Sequence, residues 1–186
     1  MIPMSDPHTT PALTYLPHFV ADPTLLFERV LSDTVWDERM RARRTASWGL
    51  AYNYSGIRYA DVPFPAYLAE LVSRVAQQVH HPVNNCLANW YADGTSTMGF
   101  HSDATGDLVP ESTVAIVSLG APRTLTFRPK EAKKPHLAYA LAPGSLLVMA
   151  PSVQRDWQHA LLAAEKTGPR ISLTFRWVRS SASEPL

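Results

Sequence analysis

Apolar residues in PAYLAELVSRVAQQV (65–79) fall at Leu68, Leu71, Val72, Val75 and Val79. That spacing of three and four lines one face of a helix. His80-His81-Pro82 ends it, because a proline biases the residue before it away from helical geometry. Upstream, Asp22-Pro23 followed by Leu25, Leu26, Arg29 and Val30 reads as an N-cap, a proline at the first helical position and a short amphipathic helix. Beyond residue 83 the period changes. Short runs rich in β-branched and aromatic residues follow at 85–91, 114–119, 123–128, 136–141, 145–149 and 170–178, separated by Gly, Pro or charged loops. Two helices followed by six or more short strands predict an α+β domain whose second half is a sandwich or barrel. Residues 1–13 read as a flexible arm, 14–180 as a single domain and 181–186 as a tail.

Composition narrows this picture. With 46% hydrophobic and 18% charged residues in 186, the chain is an ordinary globular protein and not a disordered one. Sixteen prolines against eight glycines favour chain reversals over long helices. Cys86 stands alone, so neither an internal disulfide nor a Cys-rich zinc site is available, and a reducing cytoplasmic setting is expected. The start, MIPMSDPHTT, lacks the basic and apolar regions of a secretory signal. No apolar run approaches 18 residues, so no membrane span is expected. The net charge of +1 is uneven. Arg39, Arg41, Arg43, Arg44 and Arg58 fall in an acid-free stretch, and Arg123, Arg128, Lys130, Lys133 and Lys134 in another with only Glu131. These are either footprints for phosphates or solvated loops.

Candidate chemistry begins at His101-Ser102-Asp103. In an extended segment residues i and i+2 project the same way, so both side chains can reach one metal. The motif alone is weak, since this composition yields roughly 0.3 His-x-Asp matches by chance. Its company strengthens it. Asn89 and Tyr91 repeat the i, i+2 relation, His159 follows in WQH, and Arg170 and Arg176 sit six apart, on one face of the last strand, with Ser172 and Thr174 between them. Two imidazoles and a carboxylate suit a divalent iron with open positions. Two inward arginines in a barrel are costly without an anion, and their forks match a dicarboxylate.

The segments NWYADGTSTMGFHSD, VAIVSLGAPRTLTFR, PGSLLVMAPSVQRDWQH and PRISLTFR, in that order over about residues 84–178, resemble the AlkB-type Fe(II)/2-oxoglutarate-dependent dioxygenases, as does WGLAYNYSG more weakly. The pattern is closer to the branch with the duplex-DNA and RNA repair members than to the founding bacterial enzyme. The resemblance implies a double-stranded β-helix (jelly roll) core with N-terminal bracing helices. It implies His101, Asp103 and His159 as iron ligands, and Asn89, Tyr91, Arg170 and Arg176 as the 2-oxoglutarate site. Arg170 would meet the distal carboxylate and Arg176 would lie near the metal-bound end. The implied activity is oxidative dealkylation of N-alkylated bases in DNA or RNA, with Fe(II), 2-oxoglutarate and O2 as cofactors; the alternative is hydroxylation of a small molecule or protein side chain. Two positions depart from the family. Thr105 stands where repair members usually carry an acid, and Ser172 where many carry Asn.

Trp48, Tyr52 and Tyr54 either stack an exposed base or pack a sheet edge. Arg128 with the 130–134 loop either touches phosphates or is solvated. The expected partner is alkylated nucleic acid, with no membrane and no protein partner.

Overall fold

The computed structural model describes residues 10–54 and 56–180. Along the chain run β1 (Leu13–Leu16), α1 (Pro23–Asp33), β2 (Arg44–Gly49), β3 (Tyr52–Tyr54) and β4 (Ile57–Tyr59). A 3-10 turn (Ala66–Leu68) leads into α2 (Ala69–Val79), then β5 (Asn85–Tyr91), β6 (Met98–His101), β7 (Val114–Gly120) and β8 (Arg123–Pro129). The remainder is β9 (Leu137–Leu141), β10 (Leu146–Met149), α3 (Pro151–Asp156), β11 (Trp157–Leu161) and β12 (Arg170–Arg176).

The first two helices, α1 and α2, form where the sequence predicts them. Asp22 caps α1, its Oδ1 accepting from the Leu25 N–H at 2.9 Å. Past α2, His80 turns into the left-handed region (φ 58°) and its N–H returns to the Gln77 carbonyl. Within the stretch 1–13 expected as a flexible arm, Leu13 is paired with Met149 and Ala12 accepts from the Ala150 N–H. Residues 1–9 and the tail 181–186 lie outside the described residues.

A six-stranded antiparallel sheet has the order β1-β10-β7-β12-β5-β2, and a four-stranded one β6-β11-β8-β9; β3 and β4 form a separate hairpin. The two larger sheets close on each other as a double-stranded β-helix. Leu87, Ile116 and Leu147 of the larger sheet pack with Leu125, Phe127, Trp157 and Leu161 of the smaller one. On its other face the larger sheet offers Cys86, Ala88, Val117, Leu173 and Phe175 to Val30 of α1 and Leu71 and Val75 of α2. β12 is therefore buried on both faces, and its alternation has a plain reason. Ile171, Leu173 and Phe175 face the helices, while Arg170, Ser172, Thr174 and Arg176 face the space between the sheets.

Candidate active site

Pairing of β6 with β11 sets His101 directly opposite His159, their rings 4.4 Å apart. Asp103 enters from the segment just beyond β6 and turns Oδ1 toward both, 3.5 Å from His101 Nε2 and 3.7 Å from His159 Nε2. One ligand atom from each of the three lies within 4.8 Å of the others.

The surroundings orient His101 and Asp103. His101 Nδ1 lies 2.9 Å from the Gly99 carbonyl, which requires a proton on Nδ1 and turns Nε2 toward Asp103. The Ser102 hydroxyl donates to the Trp157 carbonyl at 2.7 Å and ties the segment to β11. The Asp103 N–H donates to Gln154 Oε1 at 2.8 Å, and Arg176 donates to Asp103 Oδ2 through Nε (3.2 Å) and Nη2 (2.7 Å). Burial pushes the Asp103 carboxyl up, but the Arg176 guanidinium and the two imidazoles outweigh it and hold the group well below the usual carboxylate range. Burial pushes His159 down to about 4, against the pull of Asp103, so its ring is neutral at ordinary pH. The carboxylate is thus charged and the His159 imidazole neutral, the protonation states in which they bind metal. The side chain of His101 is 25% exposed, that of His159 only 4%, so the triad opens to solvent past His101.

Beside the triad lies a narrow cavity lined by Asn89, Tyr91, Arg170, Ser172, Thr174 and Arg176, among others. Its polar wall follows from register: Arg170 stands opposite Tyr91, and Ser172 opposite Asn89. Arg170 is 2% exposed and donates to Ser118 Oγ at 3.0 Å, with its guanidinium 5.4 Å from the Tyr91 ring centre. Its Nε has no hydrogen-bond partner among the described residues. Burial pushes its pKa down to about 10. A buried cation with an unmet donor, in a cavity lined by donors, is a seat for an anion.

Over residues 27–176 the chain matches the 2OG-Fe(II) oxygenase superfamily. It is 36% identical to the DNA oxidative demethylase ALKBH2 of Mus musculus over 136 residues, 69% of this chain and 57% of that protein. It is 32% identical to the alpha-ketoglutarate-dependent dioxygenase alkB homolog 3 of Mus musculus over 173 residues, 82% of this chain and 60% of that protein. The chain is an AlkB-type member of the 2OG-Fe(II) oxygenase superfamily. It spans less than two thirds of the length of these relatives. The solved structure of OsALKBH1 shares the fold at a TM-score of 0.67 and 16% identity, over 90% of this chain and 98% of that one. Fe(II), 2-oxoglutarate and O2 are the cofactors of an oxygenase of this superfamily. Two imidazole nitrogens and one carboxylate oxygen, converging with space beside them, fit Fe(II). The cavity ending at the unmet donor of Arg170 fits a dicarboxylate.

Not every residue singled out in the sequence meets at this site. Trp48 packs with Leu71 and Val75 on the helix side of the larger sheet, so it is not a base-stacking face. Tyr52 is buried beneath the triad: the Arg176 guanidinium lies 4.6 Å from its ring centre, and its hydroxyl donates to the Ala104 carbonyl at 3.2 Å. It supports Asp103 and Arg176 and is not exposed to a base. Tyr54 lies on β3, its side chain outside the described residues. Arg128 sits over Phe100 at 4.1 Å and is fixed by two hydrogen bonds to Gln158 Oε1. Arg123, from the same basic stretch, is no phosphate contact. It is buried and donates to the carbonyls of Asp93, Ser96 and Leu162, clamping the loop that leads into β6. Arg44 faces outward, paired with Glu38 and lying over Trp90. Arg43 alone of that run turns inward, to Asn89 Oδ1 at 2.8 Å. Gln154 and Ser118 join the site without a sequence signal, and Arg43 stood out only as part of a basic run, because these roles arise from contacts between distant segments.

Proposed function

We propose that the chain is an oxidative dealkylase of N-alkylated bases in DNA or RNA. In this reading His101, Asp103 and His159 hold Fe(II), and Asn89, Tyr91, Arg170 and Arg176 surround 2-oxoglutarate. Bound together with O2, these groups couple decarboxylation to succinate and CO2 with hydroxylation of a C–H bond beside a heteroatom. On an N-methyl group the product is a hemiaminal, which releases formaldehyde.

The residues divide the work. Arg170 binds the distal carboxylate with the donors left over from Ser118. Arg176 holds Asp103 by one oxygen and so presents the other to the metal. Leu125, Leu161 and Ile116 line the cavity with apolar surface and limit water beside the metal. The groove outside His101, bordered by Arg43, Met98, Phe100 and Ala104, receives the base. Arg128, beside that groove at Phe100, is the cation for a phosphate. A buried Cys86, its thiol pushed up by burial, suits a reducing intracellular setting.

The observation that carries the reading is the convergence of the triad next to a donor-lined cavity closed by Arg170. The names of the ALKBH2 and alkB homolog 3 relatives support the choice of nucleic acid. The test is a formaldehyde and succinate screen of the Fe(II)-loaded protein over methylated single- and double-stranded DNA and RNA oligonucleotides. Formaldehyde in step with succinate from at least one oligonucleotide is expected. Succinate with no formaldehyde and no repaired base from any of them would sink the nucleic-acid part. It would point to a small molecule or protein side chain, the alternative that Thr105 leaves open.

A further inference from the structure

We infer that Arg43 is a positioning residue for the co-substrate: it locks the Asn89 amide so that its N–H groups are the end offered to the cavity. The inference rests on the reading that Asn89 contacts 2-oxoglutarate.

Arg43 immediately precedes β2, the edge strand of the larger sheet and the neighbour of β5. Its Nε–H donates to Asn89 Oδ1 at 2.8 Å, and its Nη1 reaches toward the Thr97 carbonyl at 3.4 Å. A guanidinium carries donors only, so the contact decides which end of the amide is oxygen. Asn89 itself is 2% exposed and lines the cavity opposite Ser172. With Oδ1 taken by Arg43, the Nδ2 end of the amide is the one left to donate. An amide free to turn over would offer a carboxylate its own oxygen half the time, and two acceptors repel. Held by Arg43, it offers donors, in keeping with the other polar groups around it, Arg170 above all.

The position of Arg43 explains why the task falls to it. It borders the outer groove together with Met98 and His101, and both of those also line the inner cavity. Arg43 therefore stands in the wall between the two spaces. It touches Asn89 without belonging to the triad.

The test is a double-mutant cycle read by anaerobic calorimetry. 2-Oxoglutarate is titrated into Fe(II)-loaded protein carrying Arg43→Ala, Asn89→Ala or both, and Mn(II) binding is titrated separately. We expect each single change to weaken 2-oxoglutarate binding about ten-fold. The double variant should bind no worse than Asn89→Ala, and Mn(II) affinity should stay within about two-fold of the unaltered protein. Arg43→Met keeps the aliphatic stem without the donors, and it replaces Arg43→Ala in the cycle should the shorter side chain prevent folding. Two outcomes overturn the inference alone: unchanged 2-oxoglutarate affinity in the Arg43 variant while Asn89→Ala weakens it, or losses that multiply in the double variant. Unchanged affinity in Asn89→Ala overturns the assignment of Asn89 on which the inference stands.

Discussion

Asp103 does two things at once, and its removal should show both. One oxygen faces the imidazoles and the other neutralises Arg176, a fully buried cation. Asp103→Ala leaves that cation unpaired, so the metal-free protein should lose about 3–5 kcal/mol in denaturant unfolding as well as all turnover. His101→Ala removes a partly exposed ring and should abolish succinate formation with stability close to that of the unaltered protein. Equal stability of the two variants would contradict the role given to Arg176. The His159 imidazole carries a pH dependence of its own. Its folded pKa, about 4, lies below the ordinary histidine value of 6.5. As pH falls from 6.5 toward 4 the unfolded chain takes up a proton that the folded one refuses, so metal-free stability should decline over that window. In His159→Gln the decline there should flatten, which thermal unfolding across pH would show. At this scale the triad was readable, since His-x-Asp and a later WQH carry it. The directions of Trp48 and Tyr52 were not, because they depend on which face of the sheet the helices cover.

β12 shows how one element serves two masters. Its apolar residues hold the helices, and Leu173→Ala should cost about 2–5 kcal/mol by leaving a cavity among them. Its polar residues line the cavity, where buried charge works against stability. Arg170→Met, similar in volume and without a buried charge, should leave the metal-free protein as stable or more so while removing dicarboxylate affinity, measured by unfolding and calorimetry. A marked loss of stability in Arg170→Met would mean that the arginine is structural. The alternation in RISLTFR was legible, as were β5, β7, β8 and β10 with their runs of branched and aromatic residues. Shorter elements were not. β6 is a four-residue edge strand containing Gly99, and α3 has six residues, too few to display a period. Gly94 sits in a turn and is needed there for a close approach as well: a Cβ on it would lie 1.7 Å from the Ala164 carbonyl. Gly94→Ala must therefore displace the loop before β6 that Arg123 clamps.

Across the whole molecule, ligand and fold are linked. The cavity exists only when both sheets are closed, so a dicarboxylate held in it would bind the folded state alone. With Mn(II) present, 2-oxoglutarate at a hundred times its dissociation constant should raise the melting temperature by roughly 5–10 °C, and Arg170→Met should abolish the rise. No helix among the described residues is long and apolar enough to cross a membrane. By itself the sequence determined the class of fold, and it singled out the two histidines and the aspartate that converge and the arginine pair on one strand face. Those features are local: a period of two, a motif of three residues and an even spacing along one strand. The tertiary structure alone decided that Arg176 would pair with Asp103, that Arg170 would keep an unmet donor, and that Arg43 and Gln154 would reach the site. Each of those contacts joins segments tens of residues apart, and strand pairing sets them through hydrogen bonds that leave no periodic trace in the chain.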